Sequence, residues 1–334
     1  MRDDWFETLT GFAELGYDDT RRRLRVDGDE LVSTVNGKRY GIGTLTMPTL
    51  ATLRAQTELP DGPRSTVRCV VGDARALHAD PELAGATFQV ASQFNLLEMT
   101  GPAVTPEHGV TRYRDDHTQG PACAMAAGAA TVYRNYFAPV GDQYGQTRDR
   151  QLDGLAHVGQ ALSERLSRPV SQLWTMRNGY ALCSETGLAA IAGLLAEGGE
   201  QLRDVARGAL AIGTHHGVEV TDMPEGQRHS VSQAFCSALP VSYGGGRPSS
   251  WEAFARVVLE AAYEATLLAA VDRPSNIVLL TRVGGGAFGN DDAWIDDAII
   301  RALSIVEHAG LDIRLVSHGQ IHPSNRMIAA QFDG

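Results

Sequence analysis

Residues 276–293 read NIVLLTRVGGGAFGNDDA: an aliphatic run, a bare glycine-rich turn, then acidic residues at the start of a periodic segment. The first part suits a buried strand, and Ala293 to His308 repeats apolar residues at helical spacing. Trp251 to Val271, ahead of the run, has the same helical period, and Ile313 to Ser317 forms a last strand after it. This succession of helix, strand, glycine loop, helix and strand predicts an α/β fold. The loop itself, Gly284, Gly285, Gly286, Ala287, Phe288, Gly289 and Asn290, puts little side-chain bulk in front of a helix N-terminus. Its N–H groups can therefore be aimed at a phosphate. Taken as structure alone, it is a connector that needs unusual φ values.

Working outward, strands are expected at Val67 to Val71 and Thr87 to Ala91, with a short helix between them. A long polar loop follows, then an Ala-rich helix at about Ala122 to Ala127 and a strand through Val132 to Phe137. Helical periodicity returns at Leu152 to Leu166 and Glu185 to Leu195, and the apolar runs Ala209 to Gly213 and Val231 to Leu239 suit buried strands. Residues 21–48 alternate polar and apolar around Asp27-Gly28 and Asn36-Gly37, which predicts a small meander with tight turns. A short helix at Leu50 to Gln56 and the Pro60 to Pro63 turn then close a β-rich extension, residues 1–62, ahead of an α/β domain at 63–334.

Composition narrows the function. A formal charge of −11 argues against a sequence-independent grip on nucleic acid, which needs Lys and Arg to displace counterions from phosphates. Cys69, Cys123, Cys183 and Cys236 form no Cys-x-x-Cys pair and sit among small or apolar neighbours, as reduced core thiols do. The acidic N-terminus and the lack of a span-length apolar stretch point to a cytoplasmic protein with no membrane partner. The glycine loop lacks the Gly-Lys-Ser/Thr ending of a P-loop, and no βαβ unit places an acid for a nicotinamide ribose.

Two further stretches suggest the source of the loop. Residues 67–73, VRCVVGD, form a strand ending in Gly-Asp, and residues 88–95, FQVASQFN, form a strand ending in an Asn-containing turn. Together with the glycine loop this order resembles the macrodomain family over about Val67 to His318. The resemblance implies a three-layer α/β/α core with a mixed sheet and an ADP-ribose-type ligand. On it Asp73 would accept from the adenine amino group, Asn95 would hold the distal ribose, and Gly284 to Gly289 would cradle the diphosphate with Phe288 against the ribose. The chemistry is apt, since a carboxylate accepts where an exocyclic amine donates and a carboxamide can do both. Taken as structure alone, Asp73 is a helix N-cap and Asn95 a turn residue. The sequence departs from the family's pattern in the long stretch Glu98 to Gly120 and in the extra length at about 141–249, read here as an insertion.

That polar stretch follows Asn95 directly and is dense in groups that donate, accept or titrate. Glu98, three residues on, is the first candidate to activate water or position the ribose as oxocarbenium character develops at the anomeric carbon. Asp116 and His117 are the next catalytic candidates, while Gln93, Thr118, Gln119 and Gly120 are candidates for ligand contact. For each of them a solvated loop residue is the plain alternative.

His215-His216 and His229, with Glu219 and Asp222 near in sequence, invite a metal reading, but adjacent histidines on a strand point to opposite faces. His318 and His322 lack the glutamate of a zinc helix motif, and Arg21 to Arg23 reads as a solvated face. No metal or cofactor is expected. The leading function is hydrolysis of ADP-ribose from a modified target by cleavage at the distal ribose. Its rivals are a non-catalytic reader of ADP-ribose or a related nucleotide, and an interaction protein that has lost the pocket.

Overall fold

The computed structural model describes residues 4–223, 227–271 and 273–332. Two short helices, α1 (Trp5–Thr10) and α2 (Tyr17–Arg22), precede the meander β1 (Leu24–Asp27), β2 (Glu30–Ser33) and β3 (Arg39–Gly41), then β4 (Thr44–Thr46) and α3 (Leu50–Gln56). Next come β5 (Thr66–Val71), α4 (Ala74–His78), β6 (Thr87–Ala91), α5 (Gln119–Ala126) and α6 (Gly128–Tyr136). The hairpin β7 (Pro139–Val140) and β8 (Gln143–Tyr144), helix α7 (Ala156–Leu166), the hairpin β9 (Trp174–Arg177) and β10 (Tyr180–Cys183), and α8 (Glu185–Ala209) follow. The chain ends with β11 (Gly213–Glu219), β12 (Ser230–Cys236), α9 (Glu252–Ala270), β13 (Ile277–Leu280), α10 (Asp292–Ile305), β14 (Asp312–Ser317) and α11 (Pro323–Phe332).

Seven strands make one mixed sheet in the order β4-β11-β12-β6-β13-β14-β5. From β12 to β5 every pairing is parallel, while β4 and β11 pair antiparallel. Alternation along the strands explains why both faces are covered. Ala234, Cys236, Val278 and Leu280 join the core beneath α8, α9 and α10, whereas Phe235, Leu279, Phe88 and Val90 pack on the opposite face with Cys123 of α5, Ala130 of α6 and Ala127 between them. The result is the three-layer α/β/α arrangement with a mixed sheet that the resemblance implies. The sheet takes β4 from residues 1–62 and β11 and β12 from residues 141–249, so both stretches contribute to the central layer.

Two elements differ from expectation. Ala209 to Gly213 is not a strand: Ala209 ends α8, the backbone of Leu210, Ala211 and Ile212 bonds to Leu50, Gly154 and Pro48, and β11 starts only at Gly213. Residues 132–137 are not a strand, because Gly128 to Tyr136 is helical and buries Ala129, Ala130, Val132 and Tyr136. The β-branched and aromatic side chains there favour extended backbone, but burial against α1 and β11 outweighs that local preference. Helix starts follow ordinary capping chemistry: Asp73 accepts from the N–H groups of Arg75 and Ala76, and Ser184 from that of Gly187. Among the described residues no helix is long and apolar enough to cross a membrane.

Candidate active site

The parallel strands β6, β12, β13 and β14 all point their carboxyl ends at one cleft of about 370 Å³, lined just beyond them by Ser92, Ala238, Thr281 and His318. Such a crevice is where open parallel sheets bind ligands. Three loops complete it: the polar stretch after β6, the glycine loop after β13, and the segment after β12 that carries Tyr243.

The glycine loop is held from behind. Tyr263 donates to the carbonyl of Thr281 at 2.7 Å and accepts from the N–H of Val283 at 2.9 Å. Asn290 is buried, and its amide donates to the carbonyls of Leu239 at 2.9 Å and Gly284 at 3.3 Å, so it ties the loop's ends together. Gly284 has φ +78°, and a Cβ there would overlap Ala238 and lie 2.8 Å from the Asn290 amide nitrogen. Gly286, by contrast, has open space where its Cβ would be. Among the described residues, the N–H groups of Gly286, Ala287 and Phe288 meet no protein acceptor. They form a patch of bare donors on the cleft wall.

A second set of donors belongs to α5. Gln119 locks this helix to β6, its Oε1 accepting from the N–H of Ala91 at 2.9 Å and its Nε2 donating to the carbonyl of Gln89 at 2.8 Å. Gly120 permits the close approach, because a Cβ would overlap the Ala91 carbonyl oxygen. Asp116 shapes the entry to the helix by accepting from the N–H of Thr118 at 2.9 Å and its hydroxyl at 2.6 Å. Among the described residues the N–H groups of Gln119 and Gly120, both of which line the cleft, meet no protein acceptor.

Glu98 lines the same cleft and is 2 % exposed. Burial raises its carboxyl from the ordinary value near 4.5 to about 7, against the opposing pull of the Arg134 guanidinium 3.4 Å away. Among the described residues Glu98 Oε2 meets no hydrogen-bond partner. A carboxyl poised near neutrality can both give and take a proton. Burial also pushes the neighbouring Tyr113 hydroxyl and Cys123 thiol well up, keeping both protonated.

The sequence candidates divide clearly. Gln93, Glu98, Asp116, His117, Thr118, Gln119, Gly120, Gly284, Gly286, Ala287 and Phe288 line the cleft, while Asp73, Asn95, Gly285, Gly289 and Asn290 do not. Asp73 serves as the N-cap of α4. Asn95 is fully buried, accepting from the N–H of Leu97 at 3.1 Å and donating to Gln151 at 2.8 Å. It therefore shapes the turn that carries Glu98. Asn95→Ala is expected to destabilise the fold by about 1–3 kcal/mol through the unmet N–H of Leu97, read as a lower urea midpoint with an unchanged slope. His215 is buried beside Tyr133, and the ring of His229 bonds to the carbonyl of His78. Among the described residues no cluster of His, Cys, Asp and Glu could hold a metal.

Several lining residues escaped the sequence reading, chiefly Tyr180, Tyr243, Arg282 and His318. Tyr180, Tyr243 and Phe288 form an aromatic trio with ring centroids 5.1–5.8 Å apart. Tyr180 arrives on the β9–β10 hairpin, and its hydroxyl donates to the carbonyl of Met99 at 2.7 Å. Asn178-Gly179, both at positive φ, makes the hairpin turn. That dipeptide between two alternating runs was the signal available in the sequence.

No protein-family model matches the chain, nor does any curated protein. Among solved structures it is similar to poly(ADP-ribose) glycohydrolase from Thermomonospora curvata, at 13% identity over 93% of this chain and 94% of that one, with a TM-score of 0.48. The same enzyme bound to the inhibitor ADP-HPD matches at 13% identity over 94% and 95% of the two chains, with a TM-score of 0.43. Poly(ADP-ribose) glycohydrolase from Deinococcus radiodurans in complex with ADP-ribose matches at 13% identity over 86% and 92%, with a TM-score of 0.42. Identities this low transfer no residue role to this chain.

Proposed function

We propose that this protein binds an ADP-ribose unit in the cleft and hydrolyses the bond that joins the distal ribose to its target. The observation that carries the reading is a buried carboxyl with one free oxygen, Glu98, set in a cleft whose walls present two groups of unpaired backbone donors. Donors from Gly286 to Phe288 and from Gln119 and Gly120 suit the two phosphates of a diphosphate, because N–H groups neutralise anions without long side chains. Phe288, with Tyr180 and Tyr243, supplies an apolar surface for a sugar face.

In the reaction, the protonated Glu98 gives its proton to the leaving atom as the bond to the anomeric carbon breaks. The resulting carboxylate then takes a proton from the water that adds to that carbon, which restores Glu98. Asp116 sets the start of α5, and Asn95 acts through the turn that presents Glu98. Calorimetric titration with ADP-ribose tests the binding, and release of free ADP-ribose from ADP-ribosylated protein tests the turnover. Micromolar binding with release supports the reading. Binding without release would mark a reader, and no heat at all would remove the ligand.

The same carboxyl makes stability depend on pH. Its folded pKa, about 7, lies above the ordinary value near 4.5, so the native state holds the proton more tightly than the unfolded chain. This contribution is fully present below the ordinary value, is lost as pH rises through about 7, and changes little beyond. Urea midpoints measured between pH 5 and 8 should fall with pH in the wild type and fall less in Glu98→Gln.

A further inference from the structure

We propose that Arg134 is a positioning residue for Glu98: it grips the turn that carries this carboxylate and one of its oxygens together, leaving the other oxygen free for the reacting group. The proposal rests on the function given above. Arg134 projects from α6 and has no exposed surface. Its Nε donates to the carbonyl of Leu96 at 3.1 Å, and one terminal nitrogen donates to Thr131 Oγ1 at 3.0 Å and to Glu98 Oε1 at 3.4 Å. The guanidinium lies over the ring of Phe235, 3.9 Å from its centroid.

The turn needs such a grip. Leu96 sits at φ +62°, a left-handed conformation that a branched side chain adopts at a cost, and Arg134 bonds the carbonyl of that same residue. A planar guanidinium can hold a backbone carbonyl, a hydroxyl and a carboxylate at once, which an ammonium cannot do in fixed directions. Stability alone does not account for the pair, since a buried ion pair is often no better than apolar residues of the same volume. Among the described residues the contact also leaves Arg134 Nη1 and Glu98 Oε2 without hydrogen-bond partners.

The groups facing Glu98 come from three elements: Tyr113 from the turn at 111–115, Cys123 from α5 and Arg134 from α6, with His215 of β11 behind the guanidinium. Tyr113 and Cys123 stay protonated, and burial holds His215 neutral. Arg134 is thus the charge among them that opposes the carboxylate.

The test uses full-length protein labelled with ¹³C-glutamate, the Glu98 carboxyl resonance being identified by its loss in Glu98→Gln. In Arg134→Gln its titration midpoint should rise by one pH unit or more, and in Arg134→Lys it should stay within half a unit of wild type. Arg134→Lys should nonetheless lower kcat at least tenfold with ADP-ribose affinity unchanged, because charge is kept while direction is lost. Should Arg134→Gln not fold, Arg134→Lys decides alone, and wild-type kcat in it overturns the proposal. A midpoint in folded Arg134→Gln equal to that of wild type overturns it as well. If the wild type releases no ADP-ribose from any substrate, the hydrolase reading falls and the positioning role falls with it; a midpoint that still rises in Arg134→Gln then shows a structural coupling only.

Discussion

Glu98→Gln should reduce the rate of ADP-ribose release by about 10²–10⁴-fold, the range expected when a positioned acid and base is lost. The carboxamide has nearly the same shape and its oxygen can still accept from the Arg134 guanidinium, so the cleft should stay formed. ADP-ribose affinity should remain within about threefold of wild type, because the diphosphate donors are untouched and come from backbone. Removing a buried group whose ionisation is costly should leave the protein at least as stable above pH 7. The measurement is a single-turnover release assay beside a calorimetric titration. Release at the wild-type rate would remove Glu98 from the chemistry, whereas joint loss of binding and release would mean that the substitution had disturbed the cleft instead.

Gly286→Glu should abolish measurable ADP-ribose binding while leaving the thermal midpoint within about 2 °C. The position has ordinary φ and open space, so the new side chain meets no steric conflict. Its carboxylate would stand beside the N–H groups assigned to a phosphate. At roughly 5 Å and an effective dielectric near 20 the repulsion is on the order of 3 kcal/mol per phosphate charge, more than a hundredfold in affinity. Gly284→Ala provides the contrast. Its Cβ would collide with Ala238 at a positive φ, so both binding and stability should fall. Retained binding in Gly286→Glu would move the ligand away from the glycine loop.

The extent to which the sequence disclosed the site follows from the range of each signal. Strand, glycine loop and helix at 276–305 were legible because aliphatic runs, bare backbone and a 3.6-residue period are local properties. Glu98 was reachable by proximity to Asn95, but its free oxygen and its shift toward neutrality depend on burial under α5 and α6. Asn95 shows the converse. A carboxamide in a polar turn suits a sugar hydroxyl on paper, yet Gln151 and the Leu97 N–H occupy it in the fold. Val132 to Phe137 read as a strand for a related reason, since propensity is weak where a helix can bury one whole face.

The sequence by itself determined the α/β class, the strand-to-loop order at the cleft and the lack of any motif for a P-loop or a nicotinamide cofactor, since these depend on residue type and near-neighbour spacing. Only the tertiary structure decided that the β9–β10 hairpin would deliver Tyr180, that β11 and β12 would enter the central sheet, and that Arg134 would meet Glu98. Those contacts join residues far apart in the chain, and the free energy that selects them comes from burying both sheet faces at once. No short window of sequence contains that quantity.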